Sequence, residues 1–179
     1  KHGDKLSSVL DVRYKRPKKN KIKLSLSPMG TNFSLEGNTK DYRFSYILGH
    51  RYKSNQFLIN SLDLNGNFRP IMSDLQAYLT YQINPELELG LLAYRSSNTY
   101  QMVPENRETE FGTITESLKL TIYFEGEEVD RFTTSMGALS LNFKPNENSN
   151  IKLTSSFFRT KEELFYDIEG EYWLGQLEN

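Results

Sequence analysis

The feature that most constrains this chain is a period of two. In Lys21-Ile22-Lys23-Leu24-Ser25-Leu26-Ser27 every second residue is apolar, and successive side chains of a strand point to opposite faces, so the run reads as a strand with one apolar and one polar side. Phe33 and Leu35 continue the pattern after the turn signal Pro28-Met29-Gly30. Tyr42, Phe44, Tyr46 and Leu48 line one side of the next run, with Arg43, Ser45, Arg51 and Lys53 on the other. Leu75, Ala77, Leu79, Tyr81 and Ile83 follow, then Leu87, Leu89 and Leu91, then Leu139, Leu141 and Phe143, then Ile151 and Leu153. No helical repeat accounts for these runs, and some reach about a dozen residues, long for strands. The composition agrees with an apolar side diluted by alternation. Only 37% of the 179 residues are hydrophobic, yet 13% are aromatic, which is too many for a disordered chain.

The breaks between runs are regular. Gly37 to Asp41, Asn84-Pro85-Glu86 and Lys144 to Ser149 are short polar turns, while longer connections run from about Gln56 to Pro70 and about Val103 to Glu116. Ser54 to Leu62 fits either a short helix or the end of an aromatic strand, and Leu118 to Phe124 reads as a strand that turns at Glu125-Gly126 into Val129 to Met136. Short and long connections therefore alternate along an up-and-down series of about seven strands. An outer-membrane barrel has tight turns at one rim, longer loops at the other, and strands that are apolar outward and polar inward. A soluble barrel or sandwich has similar strands but gives no reason for connection length to alternate. No apolar run is long enough for a membrane-spanning helix.

Catalytic chemistry has little to stand on. There is no cysteine, so no disulfide, thiolate metal site or cysteine nucleophile is available. His2 and His50 are the only histidines, too few for a histidine metal site. His50 falls in the apolar register of Tyr42 to Leu48, where an interfacial role is expected. Glu127-Glu128 and Glu162-Glu163 are adjacent pairs that a strand would point to opposite faces, so neither forms an acid/base dyad. No nucleophile elbow or phosphate-binding glycine loop is present. Glu105, Glu108, Glu110 and Glu116 make the second long connection acidic, and Glu125 extends that character into the hairpin expected after it. Clustered carboxylates suit a hard cation or a cationic or hydroxyl-rich solute, but Arg107, Lys119 and Arg131 are interleaved, and a solvated, self-paired segment is expected. The tyrosines and Trp173 are read as interface residues of a barrel, with stacking on sugar rings as the other reading.

Residues 1–23 hold nine Lys or Arg and two acidic residues, with Lys15-Arg16-Pro17-Lys18-Lys19 at their centre. Against a whole-chain net charge of −1, this run is expected to be a solvated connector rather than a nucleic-acid site. The stretch Gly3-Asp4-Lys5-Leu6-Ser7-Ser8-Val9-Leu10-Asp11-Val12-Arg13-Tyr14-Lys15-Arg16-Pro17 resembles the end of the plug domain in TonB-dependent outer-membrane receptors, in the form found in Bacteroidota-type bacteria. Gly3, Ser8, Val9, Asp11, Arg13, Lys15 and Pro17 carry the match. Ser7-Ser8 stands where two glycines are common, and Tyr14 where threonine is common. Glu36-Gly37 followed by Tyr42-Arg43-Phe44-Ser45-Tyr46 resembles the family's first periplasmic turn and the strand after it.

That resemblance implies an all-β fold of antiparallel up-and-down strands forming part of a transmembrane outer-membrane β-barrel. Residues 1–20 would be the end of the plug and a connector, and residues 21–179 the first seven or so barrel strands, so that the chain is expected to be a fragment. Arg43, Arg51 and Lys53 would face the lumen, and Glu105, Glu108, Glu110 and Glu125 would lie in solute-facing loops. The implied partners are outer-membrane lipid, an inner-membrane TonB complex acting through the rest of the plug, a scarce small solute, and a surface lipoprotein in some receptors. No cofactor, metal, catalysis or nucleic-acid partner is implied. The alternative is a soluble secreted β-sheet domain such as a carbohydrate-binding module.

Overall fold

The computed structural model describes residues 12–59, 61–62, 66–113 and 117–176. Eight strands form one antiparallel sheet: β1 (Lys21–Ser27), β2 (Gly30–Asn38), β3 (Phe44–Ser54), β4 (Gly66–Asn84), β5 (Leu87–Pro104), β6 (Arg107–Gly112), β7 (Ser117–Asn146) and β8 (Ser149–Gln176). Each of β1 to β4 pairs with the next, β5 pairs with β7, and β7 pairs with β8. The all-β, antiparallel, up-and-down expectation is therefore met. The strand count is corrected from seven to eight, although β6 adds no width. It pairs with Ser117 to Ile122 of β7, beyond the stretch of β7 that β5 covers, and so continues the line of β5 after a break at Glu105-Asn106. The Asn106 side-chain oxygen accepts the Phe124 amide at 2.9 Å across that break.

A short helix and long strands replace two of the expected connections. Gln56–Ile59 is a single helical turn, α1, which fits one of the two readings of that segment. The expected hairpin at Glu125-Gly126 does not form. β7 runs unbroken through it for 30 residues, with β8 paired alongside. Gly126 takes φ 91° inside the strand, a conformation glycine adopts without steric cost. A Cβ there would collide with the backbone of Asp167 on β8. The glycine thus serves a close approach between two strands.

The register assigns each strand's two sides. One face carries Ile22, Leu24 and Leu26, then Phe33 and Leu35, then Phe44, Tyr46 and Leu48, then Leu75, Ala77, Leu79 and Tyr81, then Leu89 and Leu91, then Leu139 and Leu141. The other carries Lys21, Lys23, Asn32, Ser34, Glu36, Ser45, Arg51, Asp74, Gln76, Thr80, Ser96 and Ser140. Burial in this single sheet falls on polar side chains. Among the described residues no hydrophobic side chain is buried, and the fully buried polar residues are Ser45, Asp74, Thr80, Ser96 and Thr121. Ile22 is 68% exposed while Asp74 is 5% exposed.

Candidate functional site

The polar face owes part of its burial to the chain's own beginning. Residues 12–20 lie against it before the chain enters β1, and each of four successive residues has a separate anchor. The Tyr14 ring stacks on Tyr78 of β4 with centroids 4.7 Å apart and planes 19° from parallel. Lys15 Nζ meets the Glu36 carboxylate of β2 at 2.6 Å. Arg16 reaches β5, β4 and the turn between β2 and β3: its guanidinium donates to Glu88 at 3.0 Å, to the Gln82 side-chain oxygen at 3.3 Å and to the Tyr42 carbonyl at 3.2 Å. Pro17 is buried, and its carbonyl accepts from the Asn38 side chain at 2.8 Å.

The basic run, expected as a connector that contacts water or carboxylates, meets carboxylates on the polar face through Lys15 and Arg16. Lys18 and Lys19 are exposed. Of the motif residues, Arg13, Lys15 and Pro17 are described and lie in this segment, whereas Gly3, Ser8, Val9 and Asp11 lie outside the described residues. Between the segment and the sheet is a recess of about 600 Å³, lined on one side by Val12, Arg13 and Tyr14 and on the other by residues that include Tyr78, Ser140 and Lys152.

The polar face also holds pairings that join strands. Arg51 Nε and Nη2 both donate to one oxygen of Asp74, at 2.7 and 2.6 Å. Asp74 is buried while Arg51 keeps 43% of its side chain exposed, so the pair sits at a boundary where solvent reaches only one partner. The Ser45 and Thr80 hydroxyls are 2.5 Å apart. Of the three residues expected on this side, Arg51 is thus committed to a structural pair. Lys53 lies near the end of β3 on the same face and is exposed. Arg43 is corrected from the strand to the turn ahead of Phe44, where its carbonyl accepts the Gln82 amide at 2.8 Å.

The turn from Thr39 to Arg43 is closed by its own side chains. Thr39 Oγ1 donates to Asp41 at 2.5 Å, the Arg43 amide donates to the same Asp41 oxygen at 3.3 Å, and the Phe44 amide donates to Thr39 Oγ1 at 3.1 Å. The Thr39 hydroxyl, with the Arg43 amide second, holds the Asp41 carboxyl below the usual carboxylate range. Tyr42 takes φ 57° within this turn, an uncommon conformation for a residue with a Cβ.

The acidic segment is not the loop it was expected to be. Glu108 and Glu110 stand in β6 and Glu125 in β7, while Glu105 alone lies in the short break after β5. Glu116 falls outside the described residues. Lys119 Nζ pairs with Glu108 at 2.7 Å, and Lys119 also stands opposite Glu110 in the register, which is the self-pairing expected. Among the described residues no group of three or more His, Asp or Glu converges as a metal site would require. His50 lies on the apolar face between Phe33 and Leu75, with Nε2 at 3.3 Å from Ser73 Oγ. Tyr46, Tyr52 and Tyr81 share that face, whereas Tyr78, Tyr94 and Tyr100 are on the polar one.

Asp74, Gln82, Glu88 and Tyr78 were not marked by sequence reasoning, because their partners lie 23 to 72 residues away. A usable signal does exist for Asp74. It is the only acidic residue in the 19-residue run of β4, and a lone carboxylate in a strand calls for a cation. Comparison of the chain with protein-family models, curated proteins and solved structures returned no match.

Proposed function

We propose that this chain is an arc of a transmembrane β-barrel wall in a bacterial outer membrane, belonging to a TonB-dependent receptor that takes up a scarce solute. The observation that carries the reading is the slope of the apolar belt across the sheet. In β1 the belt is centred on Leu24, whose hydrogen-bonded row runs through Phe33, His50, Leu75 and Arg95 to Ser135. In β7 the belt is centred instead on Leu141, six residues further along, after five strand-to-strand steps. With a rise of ~3.3 Å per residue and strands ~4.8 Å apart, that drift corresponds to strands inclined by about 40° to the belt's normal. Outer-membrane barrels tilt their strands by ~35–45°, so a belt level with the bilayer must climb the register in this way. In β4 the belt from Leu75 to Ile83 is about 20 Å tall at that inclination, close to the ~25 Å apolar band of such barrels.

Three further features support the same reading. Every strand pairs its backbone with a neighbour, as hydrocarbon requires. Within the belt the polar side chains turn to the face that residues 12–20 cover, which would be the lumen. The turns at one rim, 39–43, 85–86 and 147–148, are all short, and the longer connections lie at the other, together with the two-residue turn 28–29. In this reading residues 12–20 are the end of the plug, Ile22, Leu24, Leu26, Phe44, Leu79, Leu89 and Leu141 meet lipid, and the unpaired edges of β1 and β8 adjoin further strands. The wall does no chemistry on the solute. A TonB complex acts through the rest of the plug.

The experiment is a partition assay on the protein that carries this chain. It should fractionate with the outer membrane and need detergent to stay monodisperse. A protein that is monodisperse in water without detergent would overturn the barrel reading in favour of a soluble β-sheet domain.

A further inference from the structure

Beyond the belt, toward the long connections, the face that holds Asp74 and Ser96 stops being purely polar. By register its next rows on β4, β5, β7 and β8 bring together the rings of Phe68, Tyr100, Phe132 and Tyr166 and the thioethers of Met72 and Met102. The Phe68 and Tyr100 rings lie 5.8 Å apart by centroid, and Met72, Tyr100, Phe132 and Tyr166 are all exposed. Three carboxylates are set among them: Asp130 opposite Tyr100, Glu128 opposite Met102 and Tyr166, and Glu162 opposite Phe132. Glu128 and Asp130 are half-buried, and none of the three has an ion-pair partner among the described residues. Among those residues the nearest cation on this face by register is Lys53, three strands from Phe132 and so ~14 Å away. Asp130 lies far along β7 from Leu141, about 28 Å from the belt's midplane at a strand inclination of ~40°, and so outside the bilayer. Burial first, and then the Glu128 and Asp130 carboxylates, raise the Tyr100 hydroxyl above its ordinary value. The ring and both carboxylates thus act on one small volume.

We propose that this patch is the capture face for a small organic cation, an ammonium or guanidinium group carried on an apolar or aromatic body. The inference rests on the barrel reading, which makes this side the inner wall of the solute's entrance, and it names the solute class that reading leaves open. Aromatic faces attract a cation through their quadrupole, and a carboxylate beside them accepts its charge-assisted hydrogen bonds. Thioethers adapt to an apolar body of irregular shape. A recess of about 170 Å³, lined by Pro70, Met72, Tyr100 and Phe132 and also by Lys53, gives that body a seat. A hard metal ion does not fit, because rings separate the carboxylates and no group of three or more converges among the described residues. An anionic solute would meet three unpaired carboxylates before it met Lys53. A neutral sugar could stack on the rings but would leave those carboxylates without a role. Glu108, Glu110 and Glu125, expected to meet solute, share the register of the opposite face.

The test uses the protein that carries this chain, purified in detergent and placed in lipid nanodiscs, with binding read by titration calorimetry against empty nanodiscs. The probes are phenylbutylammonium, phenylbutanol, phenylbutyrate and ring-free butylammonium, with calcium as competitor. Phenylbutylammonium should bind at least about tenfold more tightly than phenylbutanol, as charge-assisted hydrogen bonds to carboxylates require. It should bind about threefold or more tightly than butylammonium through the rings, and phenylbutyrate should bind weakest. The Glu128→Gln/Asp130→Asn double variant should lose the preference for the cation; a folded variant that keeps it overturns the assignment to this patch. Equal affinity for phenylbutylammonium and phenylbutanol overturns the proposal without any variant. Tightest binding of phenylbutyrate assigns the patch to an anion held by Lys53, and full displacement by calcium assigns it to a metal ion; either result overturns the proposal. A protein that needs detergent but shows no preference for the cation removes only this inference, whereas one that needs no detergent removes the barrel reading itself.

Discussion

Replacing Leu24, Leu75 and Ser135 by arginine, one at a time, samples three depths within a single hydrogen-bonded row. The three positions are joined through Phe33, His50 and Arg95. An upright sheet would place them level. With strands inclined by about 40° and rising ~3.3 Å per residue, the six-residue offset of Ser135 from Leu141 puts it about 15 Å from the belt's midplane. Leu24 lies at the midplane, and Leu75, three to four residues from the belt's centre between Tyr78 and Leu79, lies about 9 Å away. An arginine on the lipid face costs ~2–4 kcal/mol at the bilayer midplane and ~0–1 kcal/mol near its surfaces. Measured against alanine at the same position, arginine should therefore cost about 2–4 kcal/mol at Leu24, less at Leu75, and at most about 1 kcal/mol at Ser135. The assay is urea titration of the protein folded into phosphatidylcholine vesicles. Equal costs along the row, or the largest cost at Ser135, would refute the inclined belt. Near-zero cost at all three would point to a face that meets water, where exposed substitutions change stability by less than about 0.5 kcal/mol.

Two other outcomes are expected from the polar face and its turn. Arg51→Met leaves the buried Asp74 carboxylate unpaired and should cost about 2–3 kcal/mol, toward the low side for a broken buried pair because solvent reaches Arg51; adding Asp74→Leu should recover most of it in the same titration. At the turn, the folded Asp41 carboxyl titrates below its unfolded range, so its stabilisation is present above about pH 4 and lost as pH falls through the folded value. Hydrogen-exchange protection of the Arg43 amide should fall over that window and become independent of pH in Asp41→Asn.

The strands that cross the belt were legible because one face is apolar there and the other is not. Leu139, Leu141 and Phe143 mark β7 as plainly as Leu24 marks β1. Beyond the belt that contrast disappears. From Thr154 to Gly175, β8 mixes Phe157 and Phe165 with Arg159, Lys161 and Glu163 on one face, so alternation gives no signal although the backbone stays extended. Glu125-Gly126 failed for a related reason: a glycine among glutamates reads as a turn, and only the paired β8 alongside reveals a strand. The contacts of Tyr14 and Arg16 were out of reach, since each joins the start of the chain to residues 26 to 72 positions later.

The outer edge of β8 governs how this polypeptide behaves when handled by itself. Over 28 residues it offers unpaired amides and carbonyls and contains no proline to interrupt them. Charged side chains along β8 discourage stacking of its faces, but the backbone groups along its edge remain a template for any other extended chain. The six-residue stretch Leu153-Thr154-Ser155-Ser156-Phe157-Phe158 has no charge and no proline and includes Thr and two Phe, which favours cross-β association. Aggregation of the isolated chain is therefore expected to start as edge-to-edge strand addition, and a detergent that shields only the apolar face will slow it without stopping it.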